Sequence, residues 1–275
     1  MRLSLAYIFV LALLLTNCAG EGNTDQSTEA NAKAEATQLS ESPRHHEWVD
    51  LPRENGTYKA FVVYPEASGP TKSVIVIHEN RGLNDWARTF ADQLAAEGYL
   101  VIAPDLISNT VEGKARTTDF ENSDAAREAI YALDADQVTS DLNAAYEYIK
   151  DLPASTGEVS VVGFCWGGSQ SFRYATNNPN LEEALVFYGT APQDSTELLD
   201  INCPVYGFYG GNDNRVNSTI PSTEAAMNAY DHTYDYVIYD GAGHAFMRRG
   251  AQDDADEANK HAHDQAWERL LGILE

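Results

Sequence analysis

A chain of 275 residues with 43% hydrophobic and 10% aromatic content can bury one large α/β core or two small ones. Its formal net charge of −24 argues against nucleic acid and anionic lipid surfaces as electrostatic partners. The cysteines Cys18, Cys165 and Cys203 are spaced neither as a disulfide framework nor as a metal site.

Residues 1–17 read as a targeting segment. Met1-Arg2 supplies positive charge, and Leu3 to Leu15 is apolar apart from Ser4. That run is shorter than the ~20 residues a spanning helix needs and fits a signal-peptide hydrophobic region. It ends in Leu15-Thr16-Asn17-Cys18, which resembles a bacterial lipoprotein signal, although Asn17 replaces the usual small residue. The resemblance implies a lipidated Cys18 at the mature N-terminus and a protein anchored in the cell envelope. Ala19 points to the outer membrane by the same resemblance; a secreted protein is the alternative. Residues 18–45 are polar, with Leu39 the one large aliphatic residue between Cys18 and Arg44. Such composition buries too little apolar surface to offset ordering entropy, so a flexible tether is expected.

The globular domain is expected over 46–275. Tyr58–Tyr64 is a strand candidate, and Ser73–His78 is a continuous apolar run suited to a buried parallel strand. The loop 79–84 leads to an amphipathic helix over Asp85–Glu97, closed by Gly98, and Tyr99–Ala103 is the next buried strand. Residues 105–123 have no clear period and are expected to cap the sheet, with helices over Asp124–Leu133 and Asp136–Leu152 after them. Val159–Val162 meets Gly163-Phe164-Cys165-Trp166-Gly167 and a helix-compatible stretch. Strands at Glu183–Tyr188, Pro204–Tyr209 and Tyr234–Tyr239, with helices near Ser222–Tyr230 and Asp254–Leu271, complete the pattern. Alternation of this kind predicts one α/β domain, a mostly parallel sheet with helices on both faces.

Cys165 stands in the strand–turn–helix setting of a nucleophile elbow, where flanking glycines relieve crowding. Taken alone, it is equally readable as a buried thiol in a glycine-rich turn. Asp213 and His244 also follow predicted strands, and the chain order nucleophile, acid, histidine is that of α/β-hydrolases. A thiolate attacks a carbonyl, an imidazole moves the proton, and a carboxylate orients the imidazole. His261 and His263 sit two apart on one helix and so face different ways. His45 and His46 adjoin the tether, and no metal set is predicted. Cys203 reads as a small buried apolar residue, leaving Cys165 a free thiol.

The motifs His78-Glu79-Asn80-Arg81-Gly82-Leu83, Gly163-Phe164-Cys165-Trp166-Gly167-Gly168, Gly211-Asn212-Asp213 and Gly243-His244-Ala245-Phe246-Met247-Arg248 resemble the dienelactone hydrolase family of α/β-hydrolases over about residues 50–272. The resemblance implies Cys165 as nucleophile, His244 as general base and Asp213 as its orienting carboxylate. It implies an oxyanion hole from the backbone N–H groups of Trp166 and Asn80. Glu79 matches a family glutamate that contacts the resting thiol and helps ionise it, and Arg248 one that binds a substrate carboxylate. Arg81 could do similar work, though the best-known members are apolar there, and Arg249 reads as surface.

The expected reaction is hydrolysis of an ester or lactone, anionic if the arginines bind it, through a thioester and without a cofactor. A peptide or thioester hydrolase with the same triad, and a non-catalytic binding lipoprotein, remain as alternatives. Neither the natural substrate nor the oligomeric state is encoded in a recognisable motif.

Overall fold

The computed structural model describes residues 22–275, and the targeting segment with Cys18 lies outside them. Helix α1 (Gly22–Glu41) comes first, followed by β1 (His45–Arg53), β2 (Gly56–Tyr64), β3 (Thr71–Ile77), α2 (Asp85–Ala96) and β4 (Leu100–Pro104). After the loop 105–122 come α3 (Ser123–Tyr131), α4 (Ala135–Lys150), β5 (Ser155–Phe164), α5 (Trp166–Asn177) and β6 (Ala184–Phe187). The chain ends with β7 (Val205–Gly210), α6 (Asn214–Asn217), α7 (Ile220–Ala229), β8 (Tyr234–Tyr239), α8 (Phe246–Gly250) and α9 (Glu257–Leu274).

The strands form one eight-stranded sheet in the order β1-β2-β4-β3-β5-β6-β7-β8. From β4 to β8 every pairing is parallel, whereas β1 and β2 pair antiparallel at one edge. Successive side chains along a strand point to opposite faces. Val74 and Val76 therefore enter the core under α2 and α9, while Ile75 and Ile77 enter the one under α4, α5 and α7. Both faces are covered, so residues 74–77 of β3 read as an unbroken apolar run.

The polar stretch expected to be a tether differs. From Gly22 it is helical, and α1 packs on α2. Ala30, Ala32, Ala34 and Ala36, with Lys33 and Glu35 between them, have high helix propensity, which composition-based arguments about entropy overlook. Leu39 is buried in the core below α2. Just beyond the helix, Ser42 Oγ, Arg44 Nε and His46 Nε2 converge on the buried carboxylate of Asp92 in α2, at 2.7, 2.9 and 2.7 Å. His46 is thus a partner of Asp92, within an edge strand that the histidines alone did not announce.

Candidate active site

β5 ends at Phe164 and α5 begins at Trp166, leaving Cys165 alone in the turn with φ 56° and ψ −114°. Positive φ is strained for a residue with a Cβ, at a cost of about 1–3 kcal/mol, and persists where surroundings over-determine it. The two glycines supply that setting. A Cβ on Gly163 would lie 2.1 Å from the Gly167 carbonyl oxygen, and one on Gly167 would lie 2.3 Å from that of His78. Both positions therefore require glycine, and the turn lifts the thiol above the carboxyl ends of the strands.

Asp213 follows β7 and His244 lies in the loop between β8 and α8. The structure brings them to the cysteine. His244 Nε2 is 3.1 Å from Cys165 Sγ, and His244 Nδ1 is 2.5 Å from Asp213 Oδ2. A carboxylate can only accept, so as Asp213's partner Nδ1 carries the proton it donates; Nε2 is then free to accept from the thiol. The Tyr188 and His244 rings pack edge to face, with centroids 5.0 Å apart.

Burial, and next the negative charge of Glu79, push the Cys165 thiol above its usual range. The backbone N–H groups of Trp166 and Asn80, which face the sulfur, pull the other way, as does Arg215. The balance leaves a neutral thiol at pH 7 that needs a base.

Glu79 departs from its expected contact. Its carboxylate accepts from Arg248 Nε at 2.9 Å and from Tyr188 Oη at 3.2 Å, while the thiol is bonded to His244. A charge-assisted guanidinium bond outcompetes a weak S–H donor for a buried carboxylate. Glu79 thus acts on sulfur through space. The same pairing occupies Nε of Arg248, the residue expected to bind a substrate carboxylate.

These groups line a cleft of about 630 Å³ that also takes in Arg81, Tyr131, Ser169, Thr190, Arg215 and Arg249. Arg81 stands at its rim, exposed, and Arg249, at the surface as expected, also lines it. Sequence reasoning missed Tyr188 and Arg215. Tyr188 directly follows β6, at the strand ends where such sites gather, and that placement was the available signal. Arg215 lies two residues beyond Asp213.

The loop 79–84 is pinned from the cap side. Thr117 donates from its N and Oγ1 to the buried Asp105 carboxylate, both at 2.7 Å, and its Oγ1 accepts from Leu83 N at 2.9 Å. Cys203 is buried below β6 and β7, unbonded to Cys165, and burial pushes its thiol up to about 12.

Comparison with known proteins agrees with this architecture. The dienelactone hydrolase family model matches residues 58–275. A candidate carboxymethylenebutenolidase of Methylorubrum extorquens is 32% identical over 72% of this chain and 71% of its own. One from Saccharolobus solfataricus is 31% identical over 78% of this chain and 93% of its own. Among solved structures, a candidate dienelactone hydrolase from Klebsiella pneumoniae superposes with a TM-score of 0.73 at 25% identity, covering 84% of this chain and 98% of that one. By the extent of these matches, and by the fold beneath them, the chain belongs to the dienelactone hydrolase family.

Proposed function

We propose that this protein hydrolyses a carboxylic ester or lactone by acyl transfer through Cys165. The observation that carries the reading is the relay Cys165–His244–Asp213, at 3.1 and 2.5 Å, beneath two backbone N–H groups aimed at the sulfur. His244 Nε2 takes the thiol proton as sulfur attacks the carbonyl carbon, and the carbonyl π pair moves onto oxygen. The N–H groups of Trp166 and Asn80 receive that oxyanion. Collapse expels the alkoxide or enolate, which takes the proton from His244 and leaves a thioester. Water, deprotonated by His244, attacks the thioester and regenerates the thiol.

The cleft is lined by four arginines, Arg81, Arg215, Arg248 and Arg249, against the single carboxylate of Glu79. This supports a substrate that carries a carboxylate beside its scissile bond. On an activated ester, C165A is expected to lower kcat by about 10⁴-fold or more, with the same loss in H244A. Turnover surviving in both would sink the nucleophile assignment.

Anchoring through a lipidated Cys18, on the outer-membrane or periplasmic side, belongs to the same reading and is supported by the sequence of residues 1–18. C18S should move the protein from the detergent phase to the aqueous phase in a Triton X-114 partition. Wild-type protein found in the aqueous phase would remove the anchor.

A further inference from the structure

His78 ends the buried apolar run of β3 and is itself completely buried. Its Nδ1 lies 2.8 Å from the carbonyl oxygen of Glu79, which can only accept, so Nδ1 bears the hydrogen. The other ring nitrogen, Nε2, is buried and has no partner among the described residues. A lone pair left bare in the interior is uncommon and calls for a reason. Burial also holds the imidazole neutral, with its pKa lowered to about 4.

The reason lies one peptide unit further on. The Glu79 carbonyl shares its plane with the Asn80 N–H, and in a trans peptide the two point in opposite directions. The carbonyl accepts from His78 Nδ1 at 2.8 Å on one side and from Gly82 N at 3.2 Å on the other. With both lone pairs engaged the plane cannot rotate, and the Asn80 N–H is left directed at Cys165 Sγ. The His78 ring also stacks on the Trp166 ring, centroids 5.6 Å apart and planes 15° from parallel. Trp166 supplies the other N–H to the sulfur.

We propose that His78 is a positioning residue that aims both oxyanion donors, through its Nδ1–H bond to the Glu79 carbonyl and its stack on Trp166. It touches no reacting atom. It acts by fixing where the N–H groups of Asn80 and Trp166 point. This rests on the acyl-transfer reading, so its test includes a readout independent of ester turnover.

That readout is a simple aliphatic aldehyde. The Cys165 sulfur adds to its carbonyl carbon, the π pair moves onto oxygen, and the hemithioacetal oxygen occupies the oxyanion position. Alkylation of Cys165 by iodoacetamide, read at its high-pH plateau where the sulfur is fully thiolate, reports thiol reactivity without that oxygen. Three variants are compared with wild type. His78→Leu removes donor and ring, His78→Phe keeps a stacking ring without the donor, and His78→Asn keeps an N–H near the Nδ1 position without the ring.

Deleting one oxyanion donor typically costs about 10²–10³ in kcat, and misaiming it should cost about 10- to 100-fold. His78→Leu is expected to lose kcat and aldehyde affinity together by that factor, and His78→Phe, which keeps the stack alone, by a smaller one. KM and the plateau alkylation rate should stay within about 2-fold of wild type, and His78→Asn, which restores the donor without the stack, should recover part of the loss. Wild-type kcat and aldehyde affinity in His78→Leu would overturn the proposal, as would an alkylation rate falling in proportion. If His78→Phe fails to fold, His78→Asn against His78→Leu carries the comparison. If wild type binds aldehyde at Cys165 but hydrolyses no ester, the acyl-transfer reading falls while His78 is still judged by aldehyde affinity.

Discussion

Single atoms set the chemistry of the cleft. Cys165 sulfur faces an imidazole on one side, two amide hydrogens on another and a carboxylate held off by Arg248 and Tyr188. Because burial and then Glu79 raise the thiol, removing the carboxylate has a predictable sign. E79Q should shift the midpoint of the pH dependence of Cys165 alkylation downward, since the Arg248 charge is then uncompensated. An unchanged or higher midpoint would mean that Glu79 does not act on sulfur. The same change breaks a buried ion pair, at a cost of about 3–5 kcal/mol that should appear in the denaturation midpoint. His78 adds a pH term of its own. Its folded pKa of about 4 lies below the ordinary histidine value of 6.5, so the unfolded chain takes the proton first as pH falls. Stability is therefore lost between those values, by about 3 kcal/mol at most. Asp105, raised to about 6 by burial, works in the opposite direction over the overlapping range. The His78 contribution is thus read as the difference between wild type and H78Q in denaturant unfolding at pH 7 and at pH 4.

Among the elements, two attachments hold segments that sequence periodicity leaves unspecified. The N-terminal helix α1 is tied down where Ser42, Arg44 and His46 meet Asp92. Burial opposes the charge on Asp92, but hydrogen bonds from those three residues, with the Arg44 charge, more than offset it and lower its pKa. A carboxylate lowered on folding stabilises above its unfolded pKa, and that contribution is lost as pH falls through the folded value. D92N should cost about 2–4 kcal/mol at pH 7, with the deficit shrinking in acid below about pH 4. Its kcat should match wild type, because Asp92 lies under α1 and away from the cleft. Equal stability of the two proteins at pH 7 would show that the cluster does not hold α1. The second attachment is Thr117, which joins the buried Asp105 to the loop carrying Glu79, Asn80 and Arg81. T117V removes both the hydroxyl donor and the acceptor for Leu83 N, and should lower kcat by about 10-fold through the aim of Asn80. T117S keeps both and should not; equal loss in the two would assign the effect to packing.

For the molecule as a whole, charge is distributed against its average. A chain of net charge −24 concentrates four arginines around one cleft with a single carboxylate among them. An anionic substrate is repelled by the surface at large and attracted only at the mouth of the site, which sharpens selection by charge. Raising ionic strength from about 0.01 to 0.15 M shortens the Debye length from about 30 to 8 Å. KM for an anionic half-ester should rise across that range, and R215Q should both raise KM at low salt and flatten the dependence. A neutral diester should show neither effect. Indifference of the half-ester to both salt and R215Q would separate the arginines from substrate recognition.

What the sequence determined by itself was whatever depends on near neighbours along the chain. The apolar runs at 73–78, 99–103 and 159–162 read as strands buried on both faces, and Gly163 and Gly167 around Cys165 marked a crowded turn. The spacing of Asp213 and His244 behind later strands then implied a site at one end of a parallel sheet. Tertiary structure decided what depends on partners distant in sequence. Asp92 captures Arg44 and His46 and turns a polar stretch into a docked helix. Arg248 takes Glu79 away from the thiol, and Tyr188 completes that pairing. A buried carboxylate accepts from whichever donors the fold delivers, and no local pattern says which those are.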